Sequence, residues 1–115
     1  MSERPIYFDW VYEVTKLIPA GRVCTYGLIA DYLALGSARM VGWALRHAHG
    51  QNIPAHRVVN RKGELTGRNH FKPPSRMKDL LEMESVVVQE DKVVDLDRLI
   101  WNPCEHLKEV DIDLS

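Results

Sequence analysis

The sequence is poor in cysteine and has no long apolar run. Cys24 and Cys104 stand far apart, form no CxxC pair and sit at no metal-ligand spacing. Neither a disulfide framework nor a structural zinc site is expected, and both cysteines read as free thiols. His47, His49 and His70 lack a supporting Cys or carboxylate at ligand spacing, so no metal and no cofactor are expected. No apolar stretch is long enough to span a bilayer. The opening Met1-Ser-Glu-Arg-Pro carries no apolar leader. A soluble, cytoplasmic monomer without membrane contact is expected, nucleoid-associated if the source is bacterial. Internal repeats and low-complexity tracts are absent, which excludes a solenoid. A chain of 115 residues holds one core and leaves no room for a second catalytic domain.

The net charge of −1 conceals an asymmetry. Residues 16–78 carry eleven Lys/Arg against the two acids Asp31 and Glu64, a surplus of +9. Residues 79–115 carry eleven acids against three bases, a surplus of −8. A basic middle segment is the footprint of a polyanion partner, although a solvated charged surface gives the same count.

Phe8, Val11, Tyr12 and Leu17 recur at helical spacing, and Pro19 and Gly21 end that helix. Thr25–Leu35 reads as a second helix, with Leu28, Ile29, Tyr32 and Leu33 on its apolar side. Gly36 makes a turn, and Ser37 is positioned to cap a third helix running to about His49. Two helices joined by a short Gly-containing turn form a helix-turn-helix pattern. On the third helix Val41, Ala44, Leu45 and Ala48 share the stripe expected to face the core. Arg39, Gly42, Trp43 and Arg46 share the opposite stripe. Val58-Val59 suggests a short buried strand, Arg61-Lys-Gly a turn, residues 68–75 a polar loop and residues 76–84 a short helix. Residues 86–94 read as a β-hairpin, a wing beside the helix-turn-helix, and residues 97–101 as one helical turn. The expected class is α+β: a small winged-helix-like domain over residues 1–104, followed by a loosely held acidic tail over 105–115.

Three segments, in order, resemble one family. Ile18-Pro-Ala-Gly-Arg-Val-Cys-Thr-Tyr-Gly-Leu-Ile-Ala is similar to the opening of the active-site domain of the O6-alkylguanine-DNA alkyltransferases. Ser37-Ala-Arg-Met-Val-Gly-Trp-Ala-Leu resembles their recognition helix. Ile53-Pro-Ala-His-Arg-Val-Val resembles their active-site motif. Gly63-Glu-Leu-Thr-Gly and Leu80-Leu-Glu-Met-Glu follow further family patterns, so the resemblance spans about residues 5–101. Where the family's repair enzymes carry a nucleophilic cysteine, this chain has Ala55. A methyl side chain has no lone pair to accept an alkyl group. That departure resembles the alkyltransferase-like proteins, which bind the lesion and pass it to nucleotide excision repair. Neither Cys24 nor Cys104 lies in the motif, and a reactive thiol needs an electropositive setting.

The resemblance implies roles residue by residue. Arg39 matches the arginine finger that fills the gap left by an extruded guanine; the bland alternative is a surface arginine paired with an acid. Tyr26 matches the tyrosine that presses on the neighbouring phosphate, and a core tyrosine is its competitor. Ala38 and Gly42 let the helix approach a minor groove, or simply pack. Trp43 and Arg46 complete the DNA-binding set, Trp43 with either DNA or the core as its partner. Pro54, Ala55, His56, Val58 and Arg68 form the implied lesion pocket, Arg68 being alternatively a phosphate-binding or solvated arginine. Arg57 and Glu84 support the motif, and His56 and Glu84 match the family's activating pair. Two departures, Ala48-His49-Gly50 in place of a hinge and Ser85 in place of a glycine, bear on loop geometry.

The function implied is a non-enzymatic sensor that flips O6-alkylguanine out of double-stranded DNA through the minor groove and marks it for excision-repair proteins. One rival is a lesion-independent winged-helix regulator. A second is a hydrolase using His56 and Glu84 to activate water.

Overall fold

The computed structural model describes residues 4–48 and 51–107. Helix α1, Tyr7–Leu17, buries Phe8, Val11, Tyr12, Val14 and Thr15 on one side. It stops where Ile18 turns extended, ψ 120°, because the residue before a proline disfavours helical backbone.

The second helix begins one residue later than the sequence pattern suggests. Cys24–Thr25 form a short strand, β1, pairing in parallel with β2, Val58–Val59. Thr25 is the N-cap of α2, Tyr26–Leu33, its Oγ1 accepting from the Leu28 N–H at 3.1 Å. The helix also ends before the expected Leu35. Ala34 enters the left-handed region at φ 56°, and the Leu35 N–H donates to the Ala30 carbonyl at 2.9 Å, a Schellman-type closure. Ser37 occupies the N-cap position of α3, Ala38–Arg46, yet its side chain makes no capping hydrogen bond. Helix α3 stops at Arg46, short of the expected His49. His49 and Gly50, part of the hinge departure, lie outside the described residues.

The second half of the chain is shorter in its elements than expected. Helix α4 spans Arg76–Met83. Strands β3, Val88–Gln89, and β4, Lys92–Val93, pair antiparallel through Glu90 and Asp91. Both turn residues are left-handed, φ 52° and 58°, in the manner of a type I′ hairpin. The hairpin does not stand free. The Leu65 N–H donates to the Asp91 carbonyl at 2.9 Å and the Val93 N–H to the Gly63 carbonyl at 2.8 Å. Helix α5 covers Leu96–Leu99. Ile100 and Trp101 then run extended beside β1, the Trp101 N–H donating to the Val23 carbonyl at 2.8 Å. A last helix, α6, Pro103–His106, is capped by Asn102 and has proline at its first position. Glu105 and His106, expected in the tail, therefore belong to a helix, and the His106 ring stacks on Trp101 at 5.8 Å. Residues 108–115 lie outside the described residues. Among the described residues no helix is long and apolar enough to cross a membrane.

The parallel ribbon divides two cores. Side chains alternate across a strand. Cys24 and Val58 accordingly join the core of α1, α2 and α3, together with Ile29, Val41 and Trp101. Val23 and Val59 join a second core with Leu65, Met77, Leu81, Val88 and Val93.

Candidate nucleic-acid interface

The two cores each contribute one wall of a concavity of about 370 Å³. Helix α3 supplies Ala38, Arg39, Gly42, Trp43 and Arg46, and α2 supplies Tyr26. The opposing wall is Thr66, Gly67 and His70, on the loop after Leu65. All six residues expected to touch DNA thus share one hollow, and among the described residues no acidic side chain lines it. Arg39 and Arg46 are exposed and make no hydrogen bond or ion pair with any described residue. The bland reading of Arg39, an arginine paired with an acid, does not describe this structure. Trp43 is 57% exposed at the same rim, so it does not serve the core. Other bases of the middle segment are spent inside the fold. Arg22 holds the Leu99 and Ile100 carbonyls at 2.9 and 2.6 Å.

The floor of the hollow opens into a recess of about 20 Å³ lined by Leu45, Ala55 and Phe71 together with residues of the hollow itself, among them Tyr26, Gly42, Gly67 and His70. Ala55 begins the 3-10 turn Ala55–Arg57. Tyr26 is the core tyrosine of the bland reading and also lines the hollow. Its ring packs against the first core, and its hydroxyl is hydrogen-bonded to Thr66 across the hollow. Burial pushes the phenol pKa up, the Thr66 hydrogen bond acting the other way. Gly42 faces the Tyr26 ring, where a Cβ would sit at 4.0 Å, and at Gly67 a Cβ would come within 3.0 Å of the Tyr26 hydroxyl.

The residues expected to form the lesion pocket do not make one cluster. Of the five, Ala55 alone lines the recess. Pro54 and His56 line a separate cleft with Lys16, Gln51, Asn52 and Leu80. Val58, whose implied role is that of its backbone carbonyl, buries its side chain in the first core. Arg68 turns towards the hairpin, its Nη1 donating to the Leu65 carbonyl at 3.1 Å and its Nε 3.6 Å from Asp91. The hollow is instead completed by Thr66, Gly67 and His70, to which the sequence reading gave no role. The Gly63…Gly67 pattern contains the first two, and only the folded chain carries them across to α3.

Behind the recess lies a tight polar cluster. Arg57 donates through Nε to Glu84 Oε1 at 3.0 Å and through Nη2 to Oε2 at 2.6 Å, and its Nη1 reaches the Ile18 carbonyl at 2.8 Å. His56 Nε2 lies 2.9 Å from Glu84 Oε2, and the Gly21 N–H donates to Oε1 at 3.3 Å. Burial alone would raise the Glu84 pKa; the Arg57 and His56 hydrogen bonds outweigh it and hold the carboxyl at about 2. Burial lowers the His56 pKa despite the hydrogen bond to Glu84. His56 is therefore neutral at pH 7 and donates its Nε2–H. The two cysteines differ. Cys24 is buried in the first core, which pushes its thiol up to about 12, while Cys104 is exposed.

Fold and hollow together define a helix-turn-helix domain that presents one arginine-bearing helix beside a concave pocket. Residues 7–86 match the family model of the 6-O-methylguanine DNA methyltransferase DNA-binding domain. The chain is 36% identical over 103 residues to alkyltransferase-like protein 1 of Schizosaccharomyces pombe, with 84% of this chain and 95% of the relative covered. It is 38% identical over 106 residues to the DNA base-flipping protein of Escherichia coli, with 89% and 79% covered. Among solved structures, S. pombe Atl1 in complex with damaged DNA containing O6-carboxymethylguanine superposes with TM-score 0.78 at 33% identity, covering 89% of this chain and all of the other. Mycobacterium tuberculosis OGT in complex with DNA gives 0.60 at 35% identity, covering 71% and 51%. The chain belongs to the alkyltransferase-like family of the 6-O-methylguanine DNA methyltransferase DNA-binding fold.

Proposed function

We propose that the protein binds O6-alkylguanine in duplex DNA, holds the extruded base in the hollow between α3 and the loop at residues 66–70, and transfers nothing. One observation carries the reading: Ala55 lies in the recess beneath a hollow that no described acidic side chain lines and whose rim holds Arg39, which is unpaired among the described residues. Arg39 fills the gap in the stack, offsetting part of an extrusion cost of a few kcal/mol. A methyl group beneath the lesion offers no nucleophile, and the protonated Cys24 thiol is sealed in the core. His56 and Glu84 bind each other and Arg57, and neither lines the recess, which disfavours the hydrolase. The stable complex marks the site for excision-repair proteins. The relatives named as alkyltransferase-like and base-flipping proteins support the same reading.

The test is a titration of matched duplexes, one with O6-methylguanine labelled on the methyl group and one with guanine. Selective binding with no label on the protein is expected, and affinity should fall steeply with salt as phosphate contacts release counterions. Arg39→Ala should lose most of the selectivity. Equal affinity for both duplexes would point to the lesion-independent regulator, and labelled protein to transfer.

A further inference from the structure

Trp43 is a large apolar side chain left in solvent on a cationic surface. It is 57% exposed, whereas Trp101 is buried at 5% and Trp10 packs against the first core. Its neighbours on the exposed stripe of α3 are Arg39, four residues before, and Arg46, three residues after, and all three line the hollow. Nothing in the fold requires an indole there. Gly42 beside it is only partly buried, and the core stripe of the same helix is filled by Val41, Ala44 and Leu45.

We infer that Trp43 is a wedge that opens a base step flanking the lesion, so that recognition depends on the deformability of that step. This rests on the reading of the hollow as the lesion site. Four residues of helix rise by about 6 Å. Successive bases are about 3.4 Å apart along a strand, so the indole meets the duplex about two steps from the gap filled by Arg39. Apolar side chains entering the minor groove unstack the step they touch and bend the duplex. With Arg39 in the gap, Arg46 on the other side of the indole supplies a cation suited to a flanking phosphate. The energy of opening depends on the step: pyrimidine–purine steps yield easily and A-tracts resist. Trp43 thereby lowers the cost of extrusion where the flanking duplex is soft.

The experiment uses O6-methylguanine duplexes that differ only at the steps within two base pairs of the lesion, TA in one and AA in the other, with 2-aminopurine at the tested step in a parallel set. Wild-type protein should bind the TA duplex about tenfold more tightly, raise the 2-aminopurine emission and show quenched indole fluorescence on binding. Trp43→Ala should fold normally by thermal melting, equalise the two duplexes and leave 2-aminopurine dark. Trp43→Phe should restore part of both effects. If Trp43→Ala keeps the wild-type step preference, or weakens both duplexes equally with the 2-aminopurine signal intact, the wedge is overturned. If wild-type protein does not distinguish O6-methylguanine from guanine, the fault lies with the lesion reading itself.

Discussion

Arg57 and Glu84 face each other in a two-pronged ion pair, Nε to Oε1 at 3.0 Å and Nη2 to Oε2 at 2.6 Å, closed on one side by His56 and on the other by the Ile18 carbonyl. In the repair enzymes that this motif resembles, His56 and Glu84 match an activating pair. Here the same atoms bind the start of the motif turn to the end of α4. Removing one partner of such a pair leaves the other buried and uncompensated. Glu84→Ala should therefore cost on the order of 3 kcal/mol in urea unfolding. A loss below about 1 kcal/mol would show that the cluster contributes little to the fold.

The same cluster sets the acid limit of stability. The Glu84 carboxyl titrates at about 2 in the fold against 4.5 unfolded. Its contribution is whole above pH 4.5 and is lost as the pH falls towards 2. The His56 pKa is also lowered, from 6.5, so stability begins to decline as the pH falls through 6.5, where the unfolded chain takes up a proton and the folded chain does not. Unfolding free energy measured from pH 8 to pH 2 should fall in two stages. Glu84→Gln should lack the lower one.

Two glycines at the hollow should respond differently to alanine. At Gly42 the added Cβ meets only the Tyr26 ring at 4.0 Å, while alanine favours the helix by up to about 1 kcal/mol. Gly42→Ala should raise the melting temperature and weaken lesion binding by narrowing the recess. At Gly67 the Cβ comes within 3.0 Å of the Tyr26 hydroxyl, so Gly67→Ala should displace the Thr66 hydrogen bond and lose both stability and binding. Melting curves and duplex titrations on the same preparations check both.

Ser85 carries a left-handed backbone, φ 68°, at the position where the resembling family has glycine. A side chain there costs roughly 1–2 kcal/mol. Ser85→Gly should recover about 1 kcal/mol of that on unfolding, without altering DNA affinity.

The thiols provide a simple check on the packing of the parallel ribbon. Cys24 is buried and held protonated, while Cys104 is exposed. Native protein at pH 8 should react with one equivalent of a thiol reagent and denatured protein with two. Two fast thiols in the native state would contradict the parallel ribbon.

Helices α1, α2 and α3 could be read from the chain because their apolar residues recur on one side and their termini carry local signals such as Thr25 and Pro19. Their ends could not. Ala34 ends α2 in a left-handed conformation that glycine would have advertised and alanine does not. Strand β1 was hidden for another reason: its two residues are extended because Val58 and Val59 lie beside them, and no periodicity exists over two residues. At the site, Tyr26 and the α3 residues were legible because one stripe of one helix carries most of them. The opposite wall was not. Thr66, Gly67 and His70 acquire a role only when the second core brings their loop over α3, and the same fold turns Arg68 away to Asp91.

The alternation of side chains across the ribbon has a mechanical consequence. Helix α3 is anchored in one core, and the loop facing it springs from Leu65 and Phe71, anchored in the other. The hollow is thus a vice whose jaws belong to separate bodies, joined at Val23–Thr25, Val58–Val59 and Ile100. Its gap is set by the backbone hydrogen bonds of that joint and by the Tyr26–Thr66 hydrogen bond that crosses it. Neither jaw can drift without stripping apolar surface from both bodies at once.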